Sequence, residues 1–357
     1  MVLVKDKCNN ILNPLSAVSG IIERRHTLPI LSNVLIERTT QALSFLATDI
    51  EIQITARSGL MAGGDPRAVT VGARKLVDIL RALPEDMEVT LQQQDKRLLV
   101  KAGKSRFTLQ TLPAEDFPRL AKPAGEAARF VLSQKALRRL LGLVQYAMAQ
   151  QDIRYYLNGL LMVVEDRQLK LVATDGHRLA YASLKLNAEL PRQEVIVPRK
   201  TVLELAKLLA DSDEEVRIEL SATQAAFSFD TVEVVSKLVD GKFPDYTRVI
   251  PTQHKNRLQT EREPLRQALQ RAAILSNEKF RGVRLVLGSD QLKIICTNSE
   301  QEEAEEELEI DYKGEALDIG FNITYLLDVL HNLAADRGCG LFLGERYRAQ
   351  AKKERQS

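Results

Sequence analysis

The string Thr174-Asp175-Gly176-His177-Arg178 is the part of this sequence that looks most like a catalytic motif. A histidine close to an aspartate can act as a general base, so an enzyme that uses Asp175 and His177 is one hypothesis. Matching positions elsewhere in the chain carry Thr48-Asp49-Ile50-Glu51 and Thr297-Asn298-Ser299-Glu300, which lack the histidine. Because a polar Asp or Asn turn after a strand is usually structural, we favour a surface loop that contacts a peptide.

Other catalytic and metal-binding patterns are not found. The sequence has no glycine-rich phosphate loop, no nucleophile elbow and no paired-histidine zinc motif. The four histidines and the three cysteines, Cys8, Cys296 and Cys339, are scattered without ligand spacing. We therefore expect no metal, no cofactor and no disulfide framework, as in a reducing cytoplasm.

Length and composition indicate a globular chain of two or three domains. The 357 residues are 45% apolar and 27% charged. The start has no apolar signal-peptide core, and apolar runs such as Leu160–Val164 are far too short to span a bilayer. We expect a soluble cytoplasmic protein with no membrane partner.

Charge is balanced overall, with Lys+Arg 50 against Asp+Glu 48. This excludes a uniformly basic coat for nucleic acid, but a sum cannot detect charges that are segregated on the surface. Tryptophan is absent and aromatic residues are 5%, so a platform that stacks on bases is not expected.

A long internal repeat organises the chain. Three segments that begin at Ser32, Asn158 and Arg281 each read as two alternating apolar strands joined by a polar turn, such as Glu165-Asp166. The offset between copies is 126 residues and then 123. Units of this size can each have a core of their own, unlike solenoid repeats.

Each copy also contains two amphipathic helices. One helix precedes the hairpin, and a second follows it, predicted at Lys75–Leu83, Thr201–Leu209 and Ile323–Leu333. The predicted fold class is α+β, with two helices packed on antiparallel sheets in each of three repeated domains. The predicted domains are 1–125, 126–253 and 254–357, with linkers at Pro113–Gly125 and Pro251–Asn256.

The third copy differs at its end. Strand alternation stops after Arg337, where the first two copies predict further strands, and the tail is polar and basic. We expect an incomplete or divergent third domain. A natural divergent ending, a truncation and a reading-frame change all fit the protein sequence.

Charged residues are segregated within the copies. Lysines and arginines recur beside helix starts in all three, which predicts a basic face that can hold a phosphate backbone without reading bases. Six carboxylates lie in Glu300–Glu307, while basic residues surround Phe107 and Leu109 in the first copy. One acidic edge and one basic edge suggest head-to-tail association, which gives a ring when the contacts close.

Several strings together resemble the family of the bacterial DNA polymerase III beta subunit, the sliding clamps. They are HTLPILSNVLIE, YYLNG, ATDGHRLA, LVDGKFPDY and ILSNEKFRGVRL, and the likeness runs to about Arg337. The resemblance implies domains of the DNA-clamp type, half of a six-domain ring in each chain, and a head-to-tail homodimer. Such a ring encircles double-stranded DNA without reading its sequence, tethers the replicative polymerase, and catalyses nothing.

The resemblance also implies three sets of site residues. Those that approach DNA are Arg25, Arg74, Gln151, Arg154, Tyr155, Tyr156, Lys200 and Arg281. Those of a partner-peptide pocket between the second and third domains are Leu157, Thr174, Gly176, His177, Arg178, Leu179, Pro244, Arg248 and Val249. Those of the dimer interface are Lys75, Arg97, Lys104, Arg106, Phe107, Leu109, Ile274, Leu275, Glu300, Glu302, Glu303, Glu305 and Glu306.

Polymerase, clamp loader and repair proteins would compete for that pocket through short peptide motifs. The family's ending, with an apolar tail that contains Met-Pro and helps to complete the pocket, is replaced here from about Gly338. We therefore expect a weakened pocket. The alternative function is a monomeric peptide-binding module, or a clamp made defective by the altered ending.

Overall fold

The computed structural model describes residues 1–23, 28–40, 42–58, 65–122, 125–250, 256–333, 339–343 and 349–353, with 256–257 and the last two ranges described by their backbone only. The helices are α1 Cys8–Ser19, α2 Ala73–Arg81, α3 Gln134–Val144, α4 Arg199–Leu208, α5 Arg262–Ala272 and α6 Ile323–Asn332. The strands are β1 Val2–Lys7, β2 Asn33–Arg38, β3 Leu43–Thr48, β4 Ile52–Ser58, β5 Arg67–Gly72, β6 Glu88–Gln94, β7 Arg97–Ala102, β8 Ser105–Leu112, β9 Ala128–Ser133, β10 Gly159–Thr174, β11 Leu179–Pro198, β12 Glu215–Leu220, β13 Gln224–Phe229, β14 Val232–Lys237, β15 Asn256–Thr260, β16 Gly282–Gly288, β17 Gln291–Thr297, β18 Glu303–Glu309, β19 Leu317–Asn322, β20 Cys339–Leu343 and β21 Ala349–Lys353.

The predicted pair of helices is present in every copy. The second helices begin at Ala73, Arg199 and Ile323, so the first two start two residues before the predicted positions. The predicted turn at Glu165-Asp166 lies inside the long strand β10, where Asp166 has φ 53° and the pairing with β11 shifts register.

The chain divides into two compact units, Met1–Phe243 and Pro244–Ser357. The first unit contains the first two copies, and the second contains the third copy. Because the two earlier copies share one unit, the boundary between 125 and 126 stays a prediction. The boundary between 253 and 254 lies outside the described residues.

The two helices of the first copy pack on its sheet, and each does so through one apolar face. Ile11, Leu15 and Val18 of α1 are fully buried, as are Leu76 and Leu80 of α2. Residues three or four apart share one helix face, so this spacing turns both stripes toward the strands. Each buried leucine or isoleucine contributes about 1.5–3 kcal/mol.

One sheet crosses from the first copy into the second. It has 12 strands in the order β1-β6-β7-β8-β5-β2-β3-β4-β14-β13-β12-β9. The crossing is the antiparallel pairing of β4 with β14, in which Val234 lies opposite Ile54. Both side chains are fully buried in the same core, so the two copies share backbone hydrogen bonds and apolar packing.

Helix α1 also comes close to α4 of the second copy. A Cβ atom placed on Gly20, which follows α1, would lie 2.2 Å from the Oε2 atom of Glu204. A side chain at position 20 would therefore force the Glu204 carboxylate of α4 to move.

The second unit has its own core under a four-stranded sheet of order β18-β17-β16-β19. Leu265 and Leu269 of α5 pack with Leu285 and Ile294 of that sheet. Tyr312 is fully buried, and its hydroxyl donates to the Glu315 carbonyl oxygen at 2.6 Å, which satisfies its polar end.

The expectation that strands are missing after Arg337 is wrong for the backbone. Strand β20 pairs with β15 on one side and with β21 on the other. The local sequence lacks strand alternation there, but pairing with β15 satisfies the hydrogen-bonding groups of β20 regardless of which side chains it carries.

No helix in the described part of the chain is long and apolar enough to cross a membrane.

Candidate functional site

The turn between β10 and β11, Thr174–Leu179, is a tightly hydrogen-bonded loop. The Asp175 carboxylate accepts from the backbone N–H groups of His177 (2.9 Å) and Arg178 (3.0 Å). The Thr174 hydroxyl donates to the Arg178 carbonyl oxygen at 2.6 Å and accepts from Gly176 N–H at 3.1 Å. Asp175 therefore orders the turn and is not positioned as the partner of a histidine base.

Arg178 anchors this turn to the body of the first unit. Its Nε donates to the Asp175 carboxylate at 3.1 Å, and a terminal nitrogen donates to the Tyr146 carbonyl oxygen at 2.6 Å. The guanidinium carbon lies 5.5 Å from the centre of the Tyr146 ring, a cation–π distance. A cavity of about 420 Å³ opens beside the turn and is lined by Tyr146, Met148, Ala149, Gln150, Gln151, Asp152, Asp175, His177, Arg178 and Arg199.

The loop before β10 forms the facing wall of this cavity. Asp152 N–H donates to the Asn158 side-chain oxygen at 2.9 Å, and the Asn158 amide donates back to the Asp152 carbonyl oxygen at 2.8 Å. Arg154 donates to the Asp152 carboxylate from Nε at 3.0 Å and from one terminal nitrogen at 2.8 Å. Hydrogen bonds from Arg154 hold the pKa of the Asp152 carboxyl at about 2.

Arg154 joins this loop to the turn. A terminal nitrogen of Arg154 donates to the Asp175 carbonyl oxygen at 3.2 Å. Its guanidinium also lies against Gly176, where an added Cβ atom would be 3.0 Å from both terminal nitrogens. Gly176 has φ 89°, a left-handed conformation that glycine adopts freely. A residue predicted to approach DNA thus contacts the turn predicted to bind peptides.

The remaining residues of the predicted DNA set are mostly exposed. Tyr155 is 58% exposed and meets the Tyr156 ring edge-on, with centroids 5.9 Å apart. Arg74 is exposed on α2, 4.0 Å from the Asp78 carboxylate. Gln151 and Arg281 are exposed residues with positive φ angles of 56° and 49°. Arg281 belongs to the second unit, and Arg25 lies outside the described residues.

Lys200 is half-buried and pairs with two carboxylates. Its ammonium lies 2.5 Å from the Asp49 carboxylate and 3.0 Å from Glu23. Burial disfavours the charged form, but hydrogen bonds to these two carboxylates outweigh burial and raise the pKa of Lys200. The lysine is in the second copy and both carboxylates are in the first, so Lys200 links the copies.

A basic strand edge lies in the first copy. Strand β8 pairs with β7 through Ser105–Gln110, but only Thr111 and Leu112 pair with β5 on its other side. Within the described residues, the backbone edge of 105–110 is therefore unpaired. Phe107 and Leu109 are half-buried against the core, whereas the basic side chains of the predicted interface are exposed: Lys75, Arg97, Lys104 and Arg106.

An acidic strand edge lies in the second unit. Strand β18 is at the end of its sheet and pairs only with β17 among the described strands. The Arg271 guanidinium forms a bidentate ion pair with the Glu306 carboxylate, and their shortest N–O distance is 2.6 Å. The Lys293 ammonium lies 3.0 Å from the Glu305 carboxylate. Glu300 and Glu302 belong to the turn that Asn298 orders, while Glu303 is exposed. Nearby Ile274 is 78% exposed, and Leu275 is half-buried.

The predicted peptide-pocket residues divide between the two units. Leu157 of the first unit is 1% exposed, so its side chain presents almost no surface, and Leu179 is half-buried. In the second unit Pro244, Arg248 and Val249 are exposed, and the Arg248 guanidinium pairs with Asp245 at 2.9 Å. The turn and these three residues therefore belong to separately described parts of the chain.

Sequence reasoning missed the residues that position the loop and the turn. Asp152 and Asn158 clamp the loop, and Tyr146 receives Arg178. The pattern Asp152-Ile153-Arg154 could have indicated the Asp152 contact. An aspartate two residues before an arginine in a turn can accept hydrogen bonds from both the backbone N–H and the side chain of that arginine. The described residues contain no group of three or more His, Cys, Asp or Glu side chains that could hold a metal ion.

The three repeats match three family models in order. Residues 5–121 match the N-terminal domain of the DNA polymerase III beta subunit, residues 131–245 match its central domain, and residues 247–338 match its C-terminal domain. Together these matches cover most of the chain and give each copy its own clamp domain.

Individual proteins agree with the family models. The beta sliding clamp of Pseudomonas aeruginosa is 51% identical over 328 residues, covering 90% of this chain and 87% of the relative. The beta sliding clamp of Escherichia coli K12 is 47% identical over 327 residues, covering 92% and 89%.

Solved structures give the same result. The DNA polymerase III subunit beta of Pseudomonas aeruginosa superposes with a TM-score of 0.90 at 48% identity, covering 96% of this chain and 93% of that one. A sliding clamp of Bartonella birtlesii bound to griselimycin gives 0.92 at 37% identity, covering 99% and 96%. With its three domains matched in order and about nine-tenths of its length aligned to these relatives, the chain belongs to the DNA polymerase III beta subunit family.

Proposed function

We propose that this chain is a DNA sliding clamp: two copies associate head to tail into a ring that encloses duplex DNA and tethers the replicative polymerase. The observation that carries the proposal is the joint between the first two copies. Strands β4 and β14 form it, and the free edges β8 and β18 are the counterparts of these two strands in other copies.

Strand β8 is the counterpart of β14. Both follow a two-residue hairpin turn, with Ala102 opposite Ser105 in one and Phe229 opposite Val232 in the other. In this alignment Phe107 corresponds to Val234, and both face the core of their copy.

Strand β18 is the counterpart of β4. Thr48 lies opposite Gln53 across the first turn, and Thr297 lies opposite Glu303 across the third. Ile54 therefore corresponds to Ala304, and both contact the core below their sheet.

Applying the β4–β14 register to β18 of one chain and β8 of another predicts which residues would pair between the two chains. Val234 lies opposite Ile54 and Glu233 opposite Thr55 in the joint. The same register places Phe107 opposite Ala304, and Arg106 opposite Glu305, of a second copy. Apolar residues then meet on the core side and opposite charges meet on the solvent side, as cross-strand pairs require.

The contact is heterologous, because a basic edge meets an acidic one, and two chains related in this way can close on each other. Six domains, assigned as 1–125, 126–253 and 254–357 in each chain, would form the ring. A closed ring cannot leave DNA sideways, so a few phosphate contacts that are independent of sequence suffice and leave it free to slide.

The residues proposed to approach the phosphates are the exposed basic and aromatic groups of the predicted DNA set. Arg74, Arg154 and Tyr155 can reach a phosphate backbone, because each exposes much of its side chain. The Lys200 ammonium already forms ion pairs with the carboxylates of Glu23 and Asp49. Its contact with DNA would be secondary to its role in the joint.

Partners would bind through short peptides. The turn Thr174–Leu179 supplies the part of that site that lies in the first unit, with Arg178 fixed by Asp175 and Tyr146. Polymerase, clamp loader and repair proteins would share it, and we place the assembly on chromosomal DNA in the bacterial cytoplasm. We assign no catalytic step to the chain, since the carboxylate of Asp175 is occupied in ordering the turn.

Loading on circular DNA tests the proposal. The chain is incubated with a bacterial clamp loader, ATP and a nicked circular plasmid, and gel filtration at high salt separates DNA-bound protein. We expect the protein to stay on the circle at high salt and to be lost when the plasmid is cut once. Loss from intact circles at high salt would refute enclosure, and a monomer in sedimentation would favour the peptide-binding module.

A further inference from the structure

We propose that Arg154 couples the DNA-facing loop to the peptide-binding turn, so that binding of DNA and of partner peptides reinforce each other within one subunit. This inference rests on the proposed function, since it needs both ligands. It concerns only the loop 150–158 and the turn Thr174–Leu179, which lie in the first unit.

The link depends on how the donors of Arg154 are distributed. Nε and one terminal nitrogen bind the Asp152 carboxylate, and the same terminal nitrogen donates to the Asp175 carbonyl oxygen at 3.2 Å. Within the described residues, the second terminal nitrogen has no hydrogen-bond partner. A phosphate oxygen can therefore bind this nitrogen without displacing Asp152 or Asp175, because guanidinium donors fan out in one plane.

The loop is built to hold this guanidinium in one place. Asn158 clamps the Asp152 backbone through two hydrogen bonds of 2.9 and 2.8 Å. Leu157 N–H donates to the Arg154 carbonyl oxygen at 2.8 Å, which closes the loop behind the arginine. A phosphate bound to the exposed terminal nitrogen would restrict the guanidinium further.

The turn responds because Arg154 contacts it at Asp175 and Gly176. Gly176 adopts a left-handed φ of 89°, and the guanidinium lies directly against it. A phosphate-bound Arg154 keeps its hydrogen bond to Asp175 for more of the time, and this favours the ordered turn. A peptide that binds the ordered turn then spends less free energy on ordering it, and this is positive coupling.

Coupling of binding free energies is reciprocal, so peptide must raise DNA affinity by the factor by which DNA raises peptide affinity. We expect a factor on the order of fivefold, at the low end of allosteric coupling. Lysine at position 154 would keep the positive charge for DNA but could not bind Asp152 and Asp175 together.

The test measures both ligands on the full-length chain. A fluorescein-labelled peptide with Leu and Phe anchors is titrated with and without a saturating 30-base-pair duplex at low salt. We expect the duplex to tighten peptide binding in the wild type and to leave it unchanged in Arg154→Lys. Arg129→Lys, which alters an exposed arginine on β9 that lies outside the predicted DNA, peptide and dimer sets, is the matched control and should retain the effect.

Hydrogen exchange provides a second readout. The amides of Gly176 and His177 should exchange more slowly when duplex is bound, in the wild type and in Arg129→Lys but not in Arg154→Lys. Equal peptide affinity with and without duplex in the wild type, or an unchanged effect in Arg154→Lys, would overturn the coupling while leaving the clamp function intact. A wild type that binds neither duplex nor peptide would overturn the proposed function and this inference together.

Discussion

The ammonium of Lys200 lies 2.5 Å from the carboxylate of Asp49, across the boundary between the first and second copies. The same carboxylate accepts the backbone N–H groups of Glu51 (3.0 Å) and Ile52 (2.8 Å). Asp49 therefore closes the turn of its own copy and receives a cation from the next. In the second copy the corresponding carboxylate, Asp175, is bound by Arg178 from its own turn.

Replacing Lys200 with methionine should destabilise the first unit. Asp49 is only 11% exposed, so the change leaves a nearly buried carboxylate without its cation. We expect a loss of about 1–2 kcal/mol, reduced from the value for fully buried pairs because Lys200 is partly exposed. Urea unfolding measures it.

The matched control is Lys237→Met, which removes an exposed pair with Glu51 across the same joint. Exposed pairs are worth little, so the loss should be below about 0.5 kcal/mol. The raised pKa of Lys200 means that its contribution is complete below the ordinary lysine pKa and disappears as pH rises through the raised value. Equal losses in both variants would contradict a special role for Lys200.

Reversing one charge at the proposed dimer contact should weaken dimerisation. Reversing both charges of the pair should restore it. Arg106→Glu alone places like charges opposite each other, and we expect a dimer dissociation constant about tenfold higher. Adding Glu305→Arg recreates an opposite-charge pair in the transferred register. Sedimentation velocity across a dilution series measures both, and Arg129→Glu on β9 should leave the dimer unchanged.

Replacing Gly176 with alanine should damage the turn. A side chain at φ 89° is strained, and its Cβ atom would press on the guanidinium of Arg154 at 3.0 Å. We expect a loss of about 1–3 kcal/mol in stability and weaker peptide binding. Gly142→Ala is the control, since nothing lies within 4 Å of its added Cβ atom within helix α3. That change should stabilise the chain by about 0.5–1 kcal/mol.

The Asp152 carboxyl should titrate far below an ordinary aspartate. Its pKa of about 2 comes chiefly from the side-chain hydrogen bonds of Arg154. A lowered pKa in the folded state stabilises the loop above the ordinary value and loses that effect as pH falls toward 2. Carbon-13 NMR of the Asp carboxyls should show the pKa rising toward about 3.9 in Arg154→Gln and remaining low in Arg74→Gln.

Repetition in the sequence predicted more of this fold than any single motif did. Apolar spacing located the helices because residues such as Leu76 and Leu80 share one face, and the turns at Asp49, Asp175 and Asn298 fall at matching places. The family of the chain followed from a few specific strings, and the comparisons confirm it.

Contacts between distant segments could not be predicted in this way. The hydrogen bond from Arg154 to Asp175 spans 21 residues and depends on where the long β10 strand returns the chain. The strands after Arg337 were missed because the backbone pairing of β20 with β15, and of β21 with β20, does not depend on local alternation. The assigned roles of individual residues at DNA, peptide and dimer contacts stay predictions.

The continuous sheet through β4 and β14 has a consequence for the peptide that connects the first two copies. A protease that cleaves between Pro118 and Ala128 would sever the chain without separating the fragments, because the strands and the Lys200 link lie elsewhere. The nicked protein would run as two bands when denatured and as one particle in native buffer. The integrity of the first unit would thus depend on its sheet and not on the peptide that connects its two copies.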